Sequence, residues 1–170
     1  YTFHLLSFLL LSYCVSLSQG CDTISLDNIN NPGPFSYDSI GENDGMRDGP
    51  DYLGSTLYYP IDAEGTFSSL ILVPGFVSPE SALSSWGPYL ASHGIVVMTI
   101  GTNTLTDLPL DRANALLDAF VTLEEENNRE NSPVFQQIDI NKISVGGHSM
   151  GGCGAQIAAT MDDNLKSVIS

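Results

Sequence analysis

The residues best suited to chemistry lie together in Ile143-Ser-Val-Gly-Gly147-His148-Ser149-Met150-Gly151-Gly152. They contain Gly-x-Ser-x-Gly, with Gly147, Ser149 and Gly151 at the fixed positions. An apolar strand leads in and a small-residue helix leads out, the context of a nucleophile elbow. The chain must reverse there within a few residues. Ser149 is therefore expected in a strained backbone conformation with its Oγ thrust outward. Gly147 and Gly151 carry no Cβ and let strand and helix approach on either side. A serine so placed suits nucleophilic attack on an acyl group. The N–H of Met150 and the dipole of the following helix would face the developing oxyanion.

Glycine-rich turns before helices also cradle phosphate. Gly146 to Gly151 begins a Walker loop, yet Gly152 stands where Lys is required, and Gly-x-Gly-x-x-Gly does not fit either. A second oxyanion donor should come from the loop after an earlier strand. Pro74-Gly75-Phe76-Val77 follows Leu70–Val73, which makes the N–H of Phe76 the candidate. The other reading of that loop is an ordinary strand-to-helix turn in which Phe76 only packs. The remaining triad members cannot be named. Their order in this arrangement is Ser, then Asp or Glu, then His. After Ser149 the acids are Asp162 and Asp163, and no His follows. His148 adjoins Ser149, but neighbouring side chains diverge on a sharp turn. His93 reads as the end of a helix, and His4 lies in the N-terminal apolar stretch.

The elements that must position these residues alternate between strand and helix. Ser55–Tyr59 is β-rich and ends at Pro60. Leu70–Val73, Ile95–Ile100 and Ile143–Val145 are short apolar runs without alternation, as in strands covered on both faces. Ser81 to Ser92 reads as a helix with Ala82, Leu83, Trp86 and Leu90 on one face, kinked or split at Pro88. Residues 111–126 form the clearest helix, with Ala113, Leu116, Leu117, Phe120 and Val121 at helical spacing. Its acidic end, Glu124 to Glu126, reads as a solvated face. Met150 to Met161 is the next helix, and Leu165 to Ser170 begins a further strand. This order gives an α/β fold with a parallel sheet between helices. Residues 21–52 read as polar, turn-rich loop. Asp44, Asp48 and Asp51 suggest a Ca²⁺ loop by spacing but lack the EF-hand Gly and Glu, so they read as solvated.

Composition narrows the function. Apolar residues make up 42 % of the 170 and mean hydropathy is +0.07, enough for the core of one domain. With 20 Asp+Glu against 5 Lys+Arg the net charge is −15, the wrong sign for nucleic acid or an anionic membrane surface. Three Cys are too few and too scattered for a disulfide scaffold or a Cys-rich metal site. Leu5 to Leu17, followed by Ser18-Gln19-Gly20, reads as an incomplete secretory signal peptide over residues 1–20, too short to span a bilayer. A secreted protein is expected. Cys21 opens a second reading, lipoprotein anchoring, although Ser18 stands where such signals usually carry Leu. The missing Met and the unfinished final strand suggest a piece of a longer chain.

These residues together resemble the secreted bacterial polyester hydrolases, the cutinases and PET hydrolases of the α/β-hydrolase fold. The agreement covers Gly33-Pro-Phe-Ser36, Leu57-Tyr-Tyr-Pro60, Val73-Pro-Gly-Phe76, Leu90 to Val97, Thr102-Asn-Thr104, Ala115-Leu-Leu-Asp118, Ile138-Asp139 and Gly147 to Gly152, in the family's order. The resemblance implies that residues 21–170 are the N-terminal portion of one α/β-hydrolase domain with a mostly parallel central sheet. It implies Ser149 as nucleophile and the N–H groups of Phe76 and Met150 as oxyanion hole. Phe76, His148 and Met150 would contact substrate. The catalytic Asp and His, an aromatic wall residue and a disulfide would lie beyond Ser170. Some features depart from the pattern. Phe76 stands where Tyr is common, and Pro88 interrupts a helix. The helix around Ala113 to Phe120 reads as short. Cys153 replaces a small residue and reads as a packed hydrophobe. The implied activity is serine carboxylester hydrolysis on a polyester or medium-chain ester by a monomer, with no metal or cofactor. A small-ester lipase or acetylhydrolase of the same fold, or a non-catalytic surface protein, is the alternative.

Overall fold

A computed structural model describes residues 30–170. The signal-peptide segment and the Cys21 anchoring reading lie outside the described residues. Pro32–Ser170 form one compact unit. Its six-stranded sheet has the spatial order β1-β2-β4-β3-β5-β6. The strands are β1 (Tyr37–Gly41), β2 (Ser55–Pro60), β3 (Phe67–Val73), β4 (Val96–Ile100), β5 (Ile138–Gly147) and β6 (Ser167–Ile169). The helices are α1 (Trp86–Ser92), α2 (Pro109–Asn128) and α3 (Met150–Met161). β3 pairs parallel with β4 and β5, and β5 pairs parallel with β6. β1 and β2 join antiparallel, as do β2 and β4. The sheet is thus mixed, with its parallel half under the serine turn.

Alternate side chains of the central strands serve opposite layers. Ile71, Val73, Met98, Ile100 and Val145 pack with Ala113, Leu116, Phe120 and Leu123 of α2 and with Ala155 and Ala158 of α3. Leu70, Leu72 and Val97 face the other way, against Leu83 and Leu90. Every residue of β4 is buried, which explains its unbroken apolar run.

Several elements differ from the expectation. The polar segment 21–52 contains β1, whose Asp38 and Ser39 give no apolar pattern because the strand lies at the sheet edge and is largely exposed. The helix expected over 81–92 breaks earlier than Pro88. A 3₁₀ turn occupies Glu80–Leu83, and α1 starts at Trp86. Pro88 then falls in the first turn of α1, where a missing N–H forfeits no helical bond. α2 spans 20 residues, beginning at Pro109 with Asp111 accepting the N–H of Leu108 at 2.9 Å. Its acidic end is not wholly solvated. Glu126 is buried, and its carboxylate takes Arg129 Nε at 2.9 Å, Arg129 Nη2 at 2.6 Å and Ser132 Oγ at 2.7 Å. Cys153, expected inside, is exposed on α3. At the far end of α1, Ser92 is buried and ties down the Gly33-Pro-Phe segment. Its Oγ accepts Gly33 N–H at 2.8 Å and its carbonyl accepts Phe35 N–H at 3.1 Å.

Candidate active site

β5 ends at Gly147 and α3 begins at Met150, so two residues make the whole reversal. Ser149 is the N-cap of α3 and holds φ 56° and ψ −117°. An L-residue reaches that region only when its surroundings over-determine it. The surroundings here are backbone. A Cβ at Gly147 would lie 2.4 Å from the carbonyl carbon of Gly151, and one at Gly151 would lie 2.3 Å from Val73 O. Gly147 also pairs with Val73 across β3 and β5, and His148 N–H reaches Val73 O at 3.3 Å. The result is a tight turn that leaves His148 and Ser149 exposed at the end of the sheet.

The loop leaving β3 lies beside this turn. A Cβ at Gly75 would sit 3.2 Å from His148 Nδ1 and 3.3 Å from Ser149 Cβ, so the glycine permits the contact. Phe76 follows, half exposed. Neither its N–H nor that of Met150 is taken by another group among the described residues. The next residue, Val77, is a second backbone outlier at φ 54°, and its N–H donates to Leu105 O at 2.8 Å. A β-branched residue is poorly suited to positive φ.

One functional neighbour has no counterpart in the expectations. Arg112, on the first turn of α2, is fully buried. Its guanidinium donates to three main-chain carbonyls: Nη1 to Pro74 O at 2.8 Å, Nη2 to Leu105 O at 3.3 Å and Nε to Asp107 O at 3.1 Å. Burial pulls its pKa below the ordinary arginine value, and the charges of Asp107 and Asp111 oppose that fall. A Cβ at Gly154 would lie 2.7 Å from Arg112 Cβ, so α3 presses the residue into place. The signal in the sequence was an arginine inside the buried stripe of α2, beside Ala113 and one turn before Leu116.

The turn and the loop bring Ser149, His148, Met150, Gly147, Gly151 and Phe76 together. His93 stands apart. It caps the C-terminus of α1, against Tyr89 at 4.8 Å between rings, and so precedes β4 at the opposite end of the parallel strands. Asp162 and Asp163 follow α3, about 18 Å along the helix from Ser149. A groove of about 590 Å³ runs beneath the turn on the α1 side of the sheet, lined by Leu70, Leu72, Leu83, Trp86 and Ile169. Gly75, Gly147 and His148 border it, whereas Phe76, Ser149 and Met150 do not. It is therefore a space under the site and not the face that Ser149 presents. Among the described residues no helix is long and apolar enough to cross a membrane.

A family model described as PET hydrolase-like matches residues 26–170. The chain is 38 % identical over 141 residues to cutinase 2 of Thermobifida cellulosilytica, which covers 81 % of this chain and 50 % of that enzyme. It is 38 % identical over 141 residues to cutinase cut1 of Thermobifida fusca, covering 81 % of this chain and 41 % of the relative. It is 41 % identical over 117 residues to a bis(hydroxyethyl) terephthalate hydrolase of Streptomyces coelicolor, covering 68 % of this chain and 36 % of the relative. The chain thus spans half or less of the length of these curated relatives. With this match across all the described residues, and a strained serine set between strand and helix, the chain belongs to the PET hydrolase-like family of the α/β-hydrolase fold.

Proposed function

We propose that the chain carries the nucleophile half of a secreted serine carboxylester hydrolase of cutinase or polyesterase type. The observation that carries this reading is the strained Ser149 between β5 and α3, with Gly75 of the neighbouring loop against it and the N–H groups of Phe76 and Met150 untaken among the described residues. Ser149 Oγ attacks the ester carbonyl and its proton passes to a histidine. In this reading that histidine, and the carboxylate that orients it, come later in the longer protein than Ser170. The carbonyl oxygen becomes an oxyanion held by the N–H groups of Phe76 and Met150, helped by the positive end of α3. Collapse expels the alcohol and leaves Ser149 acylated. Water then releases the acid and restores the hydroxyl.

Phe76, Met150 and His148 line the approach to Ser149 in this reading. An apolar acyl chain or aromatic ester would pack on the half-exposed ring of Phe76. Residues 1–20 are the leader that exports the protein, residues 21–170 belong to one hydrolase domain, and the enzyme acts as a monomer.

Ser149→Ala in the full-length protein tests the assignment. Turnover of p-nitrophenyl esters and labelling by a fluorophosphonate should both vanish. Retained turnover in the variant would sink it. Parallel assays on soluble p-nitrophenyl esters and on insoluble polyester film distinguish a polyesterase from a small-ester hydrolase.

A further inference from the structure

We infer that Arg112 is a positioning residue for the oxyanion donor, a clamp that fixes the Phe76 N–H from both sides of its loop. The inference rests on the proposed hydrolase reading for its catalytic consequence, while the clamp itself is a matter of geometry.

Phe76 sits between two anchors, and both lead to the same guanidinium. On the upstream side, Pro74 O accepts Arg112 Nη1 at 2.8 Å. That carbonyl is also pressed against α3, since a Cβ at Gly151 would lie 2.5 Å from it. On the downstream side, Val77 N–H donates to Leu105 O at 2.8 Å, and Leu105 O accepts Arg112 Nη2 at 3.3 Å. Asp107 O takes the remaining named donor, Nε, at 3.1 Å. The loop after β3 and the loop before α2 are thus joined through one planar fork.

Two further facts separate this from ordinary packing. Arg112 is buried and charged, yet among the described residues it forms no ion pair with a carboxylate. A buried charge without a counter-charge is costly, and main-chain carbonyls must satisfy it. Val77 is held at φ 54°, which is strained for a β-branched residue. The Leu105 contact opposes relaxation of that strain, and relaxation would turn the Phe76–Val77 peptide and with it displace the Phe76 backbone that carries the donor N–H. An ammonium cannot reproduce the fork, because it lacks the two divergent Nη groups at fixed separation.

The test uses the full-length protein as wild type, Arg112→Lys and Arg112→Gln, so that a folded variant is in hand if one fails. Amide hydrogen exchange reads the clamp directly. Val77 should exchange about tenfold faster or more in the variants, with the amides of β3 and β5 protected as in wild type. Active sites are then counted with a fluorophosphonate, and inhibition by an alkylboronic acid is measured per active site. That inhibitor forms a tetrahedral adduct on a serine hydroxyl and needs the oxyanion donors. Its Ki and the loss in kcat should both reach about 10- to 100-fold, with KM for a p-nitrophenyl ester within about twofold. Unchanged Val77 exchange overturns the clamp. So does a general loss of protection across the sheet with Ki per active site unchanged, since that is what simple packing predicts. A wild type that the fluorophosphonate leaves unlabelled overturns the hydrolase reading instead, and the exchange result then decides the clamp alone.

Discussion

Ser149 holds a backbone conformation that a side chain disfavours, and this has a consequence for stability that does not depend on activity. Glycine adopts φ 56° with little penalty. Ser149→Gly should therefore be more stable than Ser149→Ala by about 1–3 kcal/mol, the usual cost of such an outlier. Urea denaturation of the two variants measures the gap. Equal midpoints would show that the turn is relaxed. The flanking glycines predict the opposite sign. A Cβ at Gly151 meets Val73 O at 2.3 Å and Pro74 O at 2.5 Å, and both are backbone atoms that cannot swing aside. Gly151→Ala should cost about 3 kcal/mol or prevent folding, read by the same denaturation. These glycines were legible because Gly-x-Ser-x-Gly writes the close approach into residue type. Arg112 was not, because its partners are carbonyls at positions 74, 105 and 107, and a carbonyl looks alike in every residue. The misreading of Cys153 has a similar cause. Small residues of α3 face both the sheet and solvent, and type alone does not say which.

Burial on both faces made the inner strands the plainest in the sequence. β3 and β4 lie in the middle of the sheet, so their apolar runs show plainly in the sequence. β1 lies at the edge and leaves no such run, and the segment around it is dominated by turn residues. The break before Trp86 was obscured because proline marks a helix start as readily as a helix end, depending on its turn. The end of α2 shows how a charge run can mislead. Glu124, Glu125 and Glu126 look equivalent in sequence, but the helical twist turns only Glu126 inward. Glu126→Ala would strand Ser132 Oγ and Arg129 without their acceptor. The expected loss is about 2 kcal/mol. Glu124→Ala, two residues back and about 200° round the same helix, should stay within about 0.5 kcal/mol. Chemical denaturation of both variants checks the contrast, and equal losses would mean the Glu126 network contributes nothing.

Taken as a whole the molecule is strongly anionic, with 20 acids against 5 cations. Its three arginines are all engaged: Arg47 with Asp118 at 2.5 Å, Arg129 with Glu126 at 2.6 Å, and Arg112 with carbonyls. Little positive charge is left to offset the surface acids, so self-repulsion weighs on the folded state. Raising sodium chloride from low to moderate concentration should raise Tm, because salt screens that repulsion. Alkaline pH acts through a different group. Tyr52 is buried, and its hydroxyl donates to Arg47 O at 3.0 Å and lies 2.8 Å from Thr122 Oγ1. Burial raises its pKa above the ordinary tyrosine value, as burial also does for Tyr58 and Tyr59. The folded protein therefore keeps protons that the unfolded chain has released once pH passes about 10. Stability is fully present below that pH and falls as pH rises towards the folded-state values. Each retained proton contributes a slope of about 1.4 kcal/mol per pH unit. Tyr52→Phe removes one such proton. The variant should start less stable at pH 8, because Arg47 O and Thr122 lose a partner, yet its stability should fall less steeply above pH 10. Urea midpoints at pH 8 to 11 for both proteins measure this. Parallel alkaline limbs would show that the Tyr52 phenol ionises as freely in the fold as outside it, which its buried position in the loop before β2, packed on Thr122 of α2, argues against.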